Sequence, residues 1–150
     1  MGEERKEINE KMLDYSHREM DVLPSISQLS VRPCTITHIN VSGNRFRSLP
    51  SEIHQFTNLS TLDVSSNQLE HLPREISKMI KLETLLVQNN FLEELPREMT
   101  SCQSLRIVNL SGNRLRKFPA DVNQLPLLEH LHLGGNLIHE IPKEIAQLYW

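Results

Sequence analysis

The residue types that could do chemistry in this chain of 150 residues are seven histidines and two cysteines. His130 and His132 stand two positions apart, a spacing that puts both rings on one face of a β-strand, where imidazoles can bind a metal ion. A zinc site needs at least three protein ligands, and no third ligand is evident near this pair. We therefore interpret the two histidines as a surface pair and expect no bound metal.

The two cysteines lack the setting of a catalytic nucleophile. Cys102 falls at an apolar position of a repeating pattern, so we expect a buried and unreactive thiol, whereas Cys34 lies in an irregular stretch and receives no role. The motifs of phosphate-binding loops, G-x-S-x-G hydrolases and H-E-x-x-H metalloproteases do not occur. The sequence therefore predicts no catalytic residue, no cofactor and no enzymatic activity.

Charge and hydropathy narrow the class of protein further. The formal net charge is −3, so no excess of positive charge favours binding to nucleic acid or to a membrane surface. No apolar segment is long enough to span a bilayer, and the charged N-terminus is unlike a secretory signal. Two cysteines cannot form a disulfide framework of the secreted type. We expect a cytoplasmic protein that binds neither nucleic acid nor membrane.

A repeat of 23 residues organises most of the chain. Asparagine recurs at this interval at Asn44, Asn67, Asn90, Asn113 and Asn136. Proline follows each of them six positions later, at Pro50, Pro73, Pro96, Pro119 and Pro142. Apolar residues keep the same phase in every copy, with no insertion between copies. One such unit cannot bury an apolar face alone, whereas stacked units form a continuous core.

Each repeat combines a strand with a return segment. Apolar residues two positions apart, such as Leu62 and Val64, predict a short strand with alternate side chains buried. The asparagine that follows carries donors and acceptors that can satisfy backbone groups at a turn. The proline fixes φ and opens a short helical or extended segment on the opposite side.

This pattern, L-x-x-L-x-L-x-x-N-x-L-x-x-L-P-x-x-I, resembles the leucine-rich-repeat family. The return segments at residues 49–53 and 72–76 are similar to those of the intracellular Ras-suppressor and scribble-type class. The layout is also similar to small free-standing proteins of leucine-rich repeats. The resemblance implies an α/β solenoid, shaped as a right-handed horseshoe arc, with a parallel concave sheet of about six short strands.

The resemblance divides the chain into a polar N-terminal extension at residues 1–9, a degenerate first repeat or cap at residues 10–35, and five repeats at residues 36–150. The repeats cover residues 36–58, 59–81, 82–104, 105–127 and 128–150. In the degenerate unit, Leu13 matches a strand position and Arg18 replaces the asparagine. Terminal repeats are commonly atypical because they close the end of the stack.

The outward-facing positions of the predicted strands form the candidate binding surface, since they point away from the core. Leu86 and Ile107 depart from the pattern, because other repeats carry polar residues there. An apolar centre with polar surroundings is common in protein-binding surfaces, whereas scattered exposed hydrophobics are normal on any protein. The predicted protein-binding residues are His38, Asn40, Thr61, Asp63, Thr84, Leu86, Gln88, Ile107, Asn109, His130 and His132.

The leading hypothesis is a non-catalytic adaptor or scaffold module of intracellular signalling that binds a protein partner on its concave face. The family resemblance implies small GTPases, phosphatases or scaffold components as partners, a choice that a fold alone cannot make. Two alternatives stay open. One is a structural subunit that forms end-to-end homodimers through an uncapped C-terminal repeat, and the other is a recognition arm or fragment of a larger enzyme.

Overall fold

A computed structural model describes residues 11–143 of the chain. Within them, six short strands form one parallel sheet whose spatial order follows the sequence. The strands are β1 (Met12–Asp14), β2 (His38–Asn40), β3 (Thr61–Asp63), β4 (Thr84–Leu86), β5 (Ile107–Asn109) and β6 (His130–His132). Each strand pairs in register with the next, so that Thr61 lies between His38 and Thr84. The predicted solenoid with a parallel sheet is confirmed.

Alternation along the strands directs the apolar side chains into the core. The middle residues Ile39, Leu62, Leu85 and Val108 are at most 2% exposed. Apolar residues of the turns and return segments complete a single continuous core cluster. Burial of these columns drives the stacking, since each Å² of apolar area removed from water contributes roughly 25 cal/mol. The first and third residues of each strand consequently face away from the core, onto what we call the concave face.

On the opposite side, the return segments form short 3₁₀ helices rather than extended chain. These are η1 (Ile26–Gln28), η2 (Pro33–Thr35), η3 (Ser51–Gln55), η4 (Arg74–Lys78), η5 (Arg97–Ser101) and η6 (Ala120–Gln124). Pro50, Pro73 and Pro96 precede η3, η4 and η5 with φ angles of −66°, −67° and −65°, which the proline ring imposes. None of the helices described in residues 11–143 is long and apolar enough to cross a bilayer.

The recurring asparagines join neighbouring repeats at the turns. Asn90 donates from Nδ2 to the carbonyl oxygens of Val64 and Val87 at 3.0 Å each, and its Oδ1 accepts the N–H of Leu69 at 2.9 Å. Asn67 and Asn113 make the equivalent three bonds in their own turns. The prediction that the asparagines satisfy backbone groups at the turns is confirmed.

The N-terminal unit joins the stack without an asparagine of its own. β1 pairs with β2, and Asn44 Oδ1 accepts the N–H groups of Arg18 at 3.1 Å and Met20 at 3.0 Å. The division at residues 10–35 and 36–150 stays a prediction. Residues 1–10 and 144–150, which include the predicted extension and the end of the last repeat, lie outside the described residues.

Candidate functional site

The strand register aligns the outward-facing side chains of the concave face in rows. The first row consists of the first strand residues: Met12, His38, Thr61, Thr84, Ile107 and His130. The second row consists of the third strand residues: Asp14, Asn40, Asp63, Leu86, Asn109 and His132. Gln88 follows two residues after Leu86. The residues predicted from the sequence therefore lie together on one surface, which is the geometry that a binding face requires.

All four asparagines and aspartates of the second row close a small turn with the residue two positions later. Their side-chain oxygen accepts that residue's backbone N–H, as in the pairs Asp14–Ser16, Asn40–Ser42, Asp63–Ser65 and Asn109–Ser111, at 2.9 to 3.0 Å. Such turns are typical of these residue types, because the short side chain replaces a missing backbone acceptor. One oxygen of each side chain is thus occupied within the repeat itself.

Asp14 shows the electrostatic effect of this turn. The hydroxyl of Ser16 donates to Asp14 Oδ1 at 2.7 Å and the N–H of Ser16 donates at 2.9 Å. The two bonds stabilise the charged carboxylate and hold the pKa of Asp14 below its ordinary value. Asp14 is therefore ionised at neutral pH.

The turn pattern is broken in the repeat at residues 82–104, where Leu86 and Gln88 replace the usual pair. Leu86 has no side-chain acceptor, so the N–H of Gln88 lacks the partner that Ser65 has in the preceding repeat. The side-chain Oε1 of Gln88 is buried and has no hydrogen-bond partner within residues 11–143. An unpaired buried acceptor costs about 1–3 kcal/mol. The sequence placed Leu86 and Gln88 on the surface but did not reveal that the N–H and Oε1 of Gln88 lack partners among the described residues. The signal was present, because these two residues replace the pair that closes the turn in neighbouring repeats.

Leu86 and Ile107 lie on neighbouring strands without being opposite each other. The register pairs Leu86 with Asn109 and Ile107 with Thr84. The two apolar residues are therefore diagonal neighbours, separated by roughly 8 Å between Cα atoms from one strand spacing and two residues of rise. Both side chains are partly exposed. Apart from Met12 on β1, these two diagonal neighbours are the apolar residues that the described strands direct outward.

His130 and His132 are exposed at the C-terminal end of the sheet. Their rings stack with centroids 6.4 Å apart and planes inclined by 18°. Among the described residues, no group of three or more potential ligands could hold a metal ion. The pair offers a flat aromatic surface at this edge of the sheet.

Cys102 packs in the core beneath η5. Its Sγ donates to the carbonyl oxygen of Ile76 at 3.2 Å, and burial raises the pKa of the thiol to about 11. The predicted burial is confirmed, and the group is a neutral thiol at physiological pH, which disfavours nucleophilic chemistry. Cys34 is exposed and free.

A cleft between η5 and η6, on the side opposite the concave face, was not predicted. It encloses about 900 Å³. Its floor includes Leu95 and Phe118, which are half-buried, whereas Leu49 and Leu72 at the equivalent position are 6% and 5% exposed. Pro119 has a ψ of 77°, while the prolines before η3 and η4 have 145° and 140°. The last described helix therefore leaves the regular stack.

Opposite charges line this cleft, with Glu93 and Glu94 from one repeat and Arg116 and Lys117 from the next. The sequence signal that could have indicated it is a change of composition after the proline. Ala120 stands where the two preceding repeats have arginine.

Two leucine-rich-repeat family models match consecutive parts of the chain, at residues 58–79 and 80–138. Together with the strand–turn–helix units described above, these matches show that the chain belongs to the leucine-rich-repeat family, as its sequence pattern predicted. Proteins with this fold commonly mediate protein–protein interaction. A comparison with curated protein sequences found no match.

Solved structures from distant organisms share the fold. A leucine-rich-repeat protein of Leptospira interrogans is 36% identical with a TM-score of 0.77, and the match covers 86% of this chain and 32% of that protein. A chain of the Drosophila Toll–Spatzle complex is 28% identical, with a TM-score of 0.77 over 91% of this chain and 18% of its own length. The GASSHO1/SCHENGEN3 ectodomain of Arabidopsis thaliana, solved with Casparian strip integrity factor 2, is 32% identical, with a TM-score of 0.67 over 75% and 14%. This chain therefore spans less than a third of each of these proteins.

Proposed function

We propose that the chain is a non-catalytic adaptor or scaffold module that binds a protein partner through its concave face. The observation that carries this proposal is the position of Leu86 and Ile107. Both point outward and are partly exposed, at places where neighbouring strands carry threonine, aspartate, asparagine or histidine. Contact with a partner removes their apolar area from water, while the polar surroundings provide specificity.

The size of the face suits a segment of another protein. Six parallel strands at about 4.8 Å spacing extend over roughly 24 Å, enough for a loop, a helix or one side of a small domain. The relatives solved as complexes, Toll with Spatzle and the plant receptor with its integrity factor, support a protein or peptide as the class of partner.

We assign the module to the cytoplasm and to signalling, with small GTPases, phosphatases or scaffold components as partner classes. Support comes from the similarity of the return segments to the intracellular class of repeats and from two unpaired thiols at Cys34 and Cys102. Burial keeps the Cys102 thiol neutral, and residues 11–143 contain no group of three potential metal ligands, so catalysis and metal binding have no support there.

Replacement of the two apolar residues tests the proposal. In affinity purification from cells with quantitative mass spectrometry, Leu86→Asp/Ile107→Asp is expected to reduce recovery of the specific partner at least about tenfold, the effect typical of interface hot spots. Ile80→Asp is the matched control, because Ile80 is 63% exposed and lies after η4, away from the sheet. Equal recovery with the double variant and with the control would overturn the concave-face proposal.

A photo-crosslinking residue at Thr84, in the first row, gives an independent readout. We expect it to capture the same partner, whereas the crosslinker at Lys78 in η4 should not. Capture from Lys78 alone would move the binding surface to the opposite side.

The alternative of an end-to-end homodimer stays a prediction. Ile141 in the last repeat is 73% exposed, whereas the equivalent residues Leu49 and Leu72 are buried, which is the observation that favours it. Light scattering over a series of protein concentrations decides the question. A mass that rises towards that of two chains supports the homodimer, and the mass of one chain throughout contradicts it.

A further inference from the structure

We propose that Leu86, Gln88 and Ile107 form a subsite, here called the Gln88 subsite, which binds the backbone N–H and C=O of one residue and one aliphatic side chain of an extended partner segment. The inference rests on the proposed function and adds the chemistry of the partner. The turn at residues 86–88 differs from the neighbouring turns Asp63–Ser65 and Asn109–Ser111, each of which is closed by a side-chain oxygen.

Gln88 carries a donor and an acceptor that the fold leaves unused. Its N–H has no hydrogen-bond partner in the described part of the chain, because Leu86 replaces the residue whose oxygen would accept it. Its Oε1 has no donor either. One residue of an extended segment offers the complement, since its carbonyl oxygen accepts one hydrogen bond and its N–H donates one towards the same edge.

An extended segment fits this pair better than a helix does. Backbone groups in the interior of a helix already bond to each other, whereas those of an extended segment are available to a partner. The terminal torsion of a glutamine side chain is broad, so rotation of the amide turns Oε1 from its buried position towards a bound segment. The N–H of a bound segment then supplies the hydrogen bond that Oε1 lacks in its buried position.

The apolar side chains on either side supply the second half of the recognition. Leu86 lies two residues before Gln88, and Ile107 lies on the neighbouring strand, diagonal to Leu86. At a Cα separation of roughly 8 Å, one aliphatic side chain that packs over the pair can contact both residues at about 4 Å. Asp63 and Asn109 lie opposite Leu86 on the two neighbouring strands. Because both are polar, the apolar area is large enough for only one aliphatic side chain of the partner.

The decisive variant is Leu86→Asn/Gln88→Ser, which copies the pair Asn109–Ser111 of the next repeat. The introduced asparagine is expected to accept the N–H of residue 88, as Asn109 does for Ser111 at 3.0 Å. The variant therefore closes the turn and removes the unpaired oxygen. We expect a higher midpoint of urea unfolding than for the original chain, together with loss of peptide binding.

The probe is a displayed library of random linear peptides of about a dozen residues, selected on the full chain and followed by synthesis of the enriched sequence. Fluorescence anisotropy then compares the affinity of that peptide for the original chain, Leu86→Asn/Gln88→Ser and the control Ile80→Asp. We expect the dissociation constant to rise at least about tenfold for the double variant and to stay unchanged for the control.

N-methylation of the peptide, one peptide group at a time, locates the bond to Gln88. We expect one N-methyl position to weaken binding to the original chain about tenfold, and the same position to have little effect on the already weakened Gln88→Ser protein. Equal effects of that N-methyl group on both proteins would overturn the assignment of Gln88.

Ile107→Arg separates failure of the subsite from failure of the proposed function, because it blocks the concave face and leaves Gln88 in place. Peptide binding that is lost with Ile107→Arg but kept with Leu86→Asn/Gln88→Ser overturns the subsite alone. Binding that survives both variants overturns the subsite and the concave-face proposal together. Enrichment of no peptide, or of peptides that bind as helices, also overturns the subsite.

Discussion

Two columns of polar side chains at the turns both form hydrogen bonds to backbone groups, but they differ in whether other residue types occur at their positions. The buried column that includes Asn90 and Asn113 bonds to backbone groups of its own repeat and of the preceding one. The second row of the concave face, with Asp63 as an example, bonds only to the N–H two positions later. The first column is asparagine in all five repeats at residues 36–150, and the second contains Leu86.

The difference follows from which groups lose a partner when a side chain changes. Loss of an amide that joins two repeats leaves buried backbone groups short of bonds in both repeats. Loss of a turn-closing oxygen leaves one N–H unpaired, at the edge of an accessible face. Residues of the concave face can therefore be replaced while the stacked repeats stay intact. Leu86 is such a replacement, and it accompanies the unpaired Oε1 of Gln88 in the described part of the chain.

Removal of a bond between repeats is expected to have the largest effect. Asn90→Ala leaves the buried N–H of Leu69 without a partner and takes one of two bonds from the carbonyl oxygens of Val64 and Val87. With the cavity that it opens, we expect a loss of roughly 3 kcal/mol in the free energy of unfolding. Denaturant unfolding followed by circular dichroism measures the loss.

Asn136→Ala is the matched variant at the last described turn. Asn136 makes the same three kinds of bond but is half-buried, so water can replace part of what is lost. We expect a cost of about 1 kcal/mol. Equal costs at the two positions would mean that burial of the asparagine does not set its importance.

The contact between neighbouring turns at Gly112 should have the second largest effect. Gly112 has a φ of +67°, and a Cβ there would lie 2.5 Å from Oδ1 of Asn89 in the preceding repeat. Gly112→Ala combines backbone strain with this clash, and we expect a loss of about 2 kcal/mol in thermal unfolding.

Gly134→Ala provides the control, because a Cβ at Gly134 meets no atom within 4 Å. We expect a change within about 0.5 kcal/mol. A Gly112→Ala variant with the melting temperature of Gly134→Ala would contradict the steric argument.

Removal of a bond within one turn should cost less than Asn90→Ala or Gly112→Ala. Asp63→Ala leaves the N–H of Ser65 without its acceptor at 2.9 Å, and we expect a loss of about 1 kcal/mol in urea unfolding. The control is Thr61→Ala on the same strand, which removes no turn-closing bond. A loss for Asp63→Ala as large as for Asn90→Ala would remove the distinction between the two columns.

We expect the smallest effect on stability from the pH dependence of the turn between Asp14 and Ser16. Because the pKa of Asp14 in the folded chain lies below its ordinary value of 3.8, the carboxylate stabilises the fold above that value. The contribution is lost as the pH falls through the folded pKa. In Ser16→Ala, which lacks the hydroxyl donor, NMR titration should give a pKa nearer the ordinary value. An unchanged pKa would show that the hydroxyl of Ser16 does not hold the carboxylate.

Much of the fold could be predicted because a constant period repeats the same local rule. Apolar residues in fixed phase, such as Leu62 and Leu85, decide which side of every strand is buried, and the asparagine and proline mark the turn and the return. The cleft beside Phe118 was missed because it depends on how η6 packs against η5, and a pattern that is read one repeat at a time contains no such information.

The candidate site also has one part that the sequence predicts and one part that it does not. The sequence by itself determined which residues face outward, including the anomaly of Leu86 and Ile107, because strand alternation is a local property. Only the tertiary structure decided which polar groups are available. Asp63 and Asn109 use an oxygen within their own turns, whereas the backbone N–H and the side-chain Oε1 of Gln88 have no partner within residues 11–143. Hydrogen bonds depend on distances between atoms that the chain brings together only when it folds.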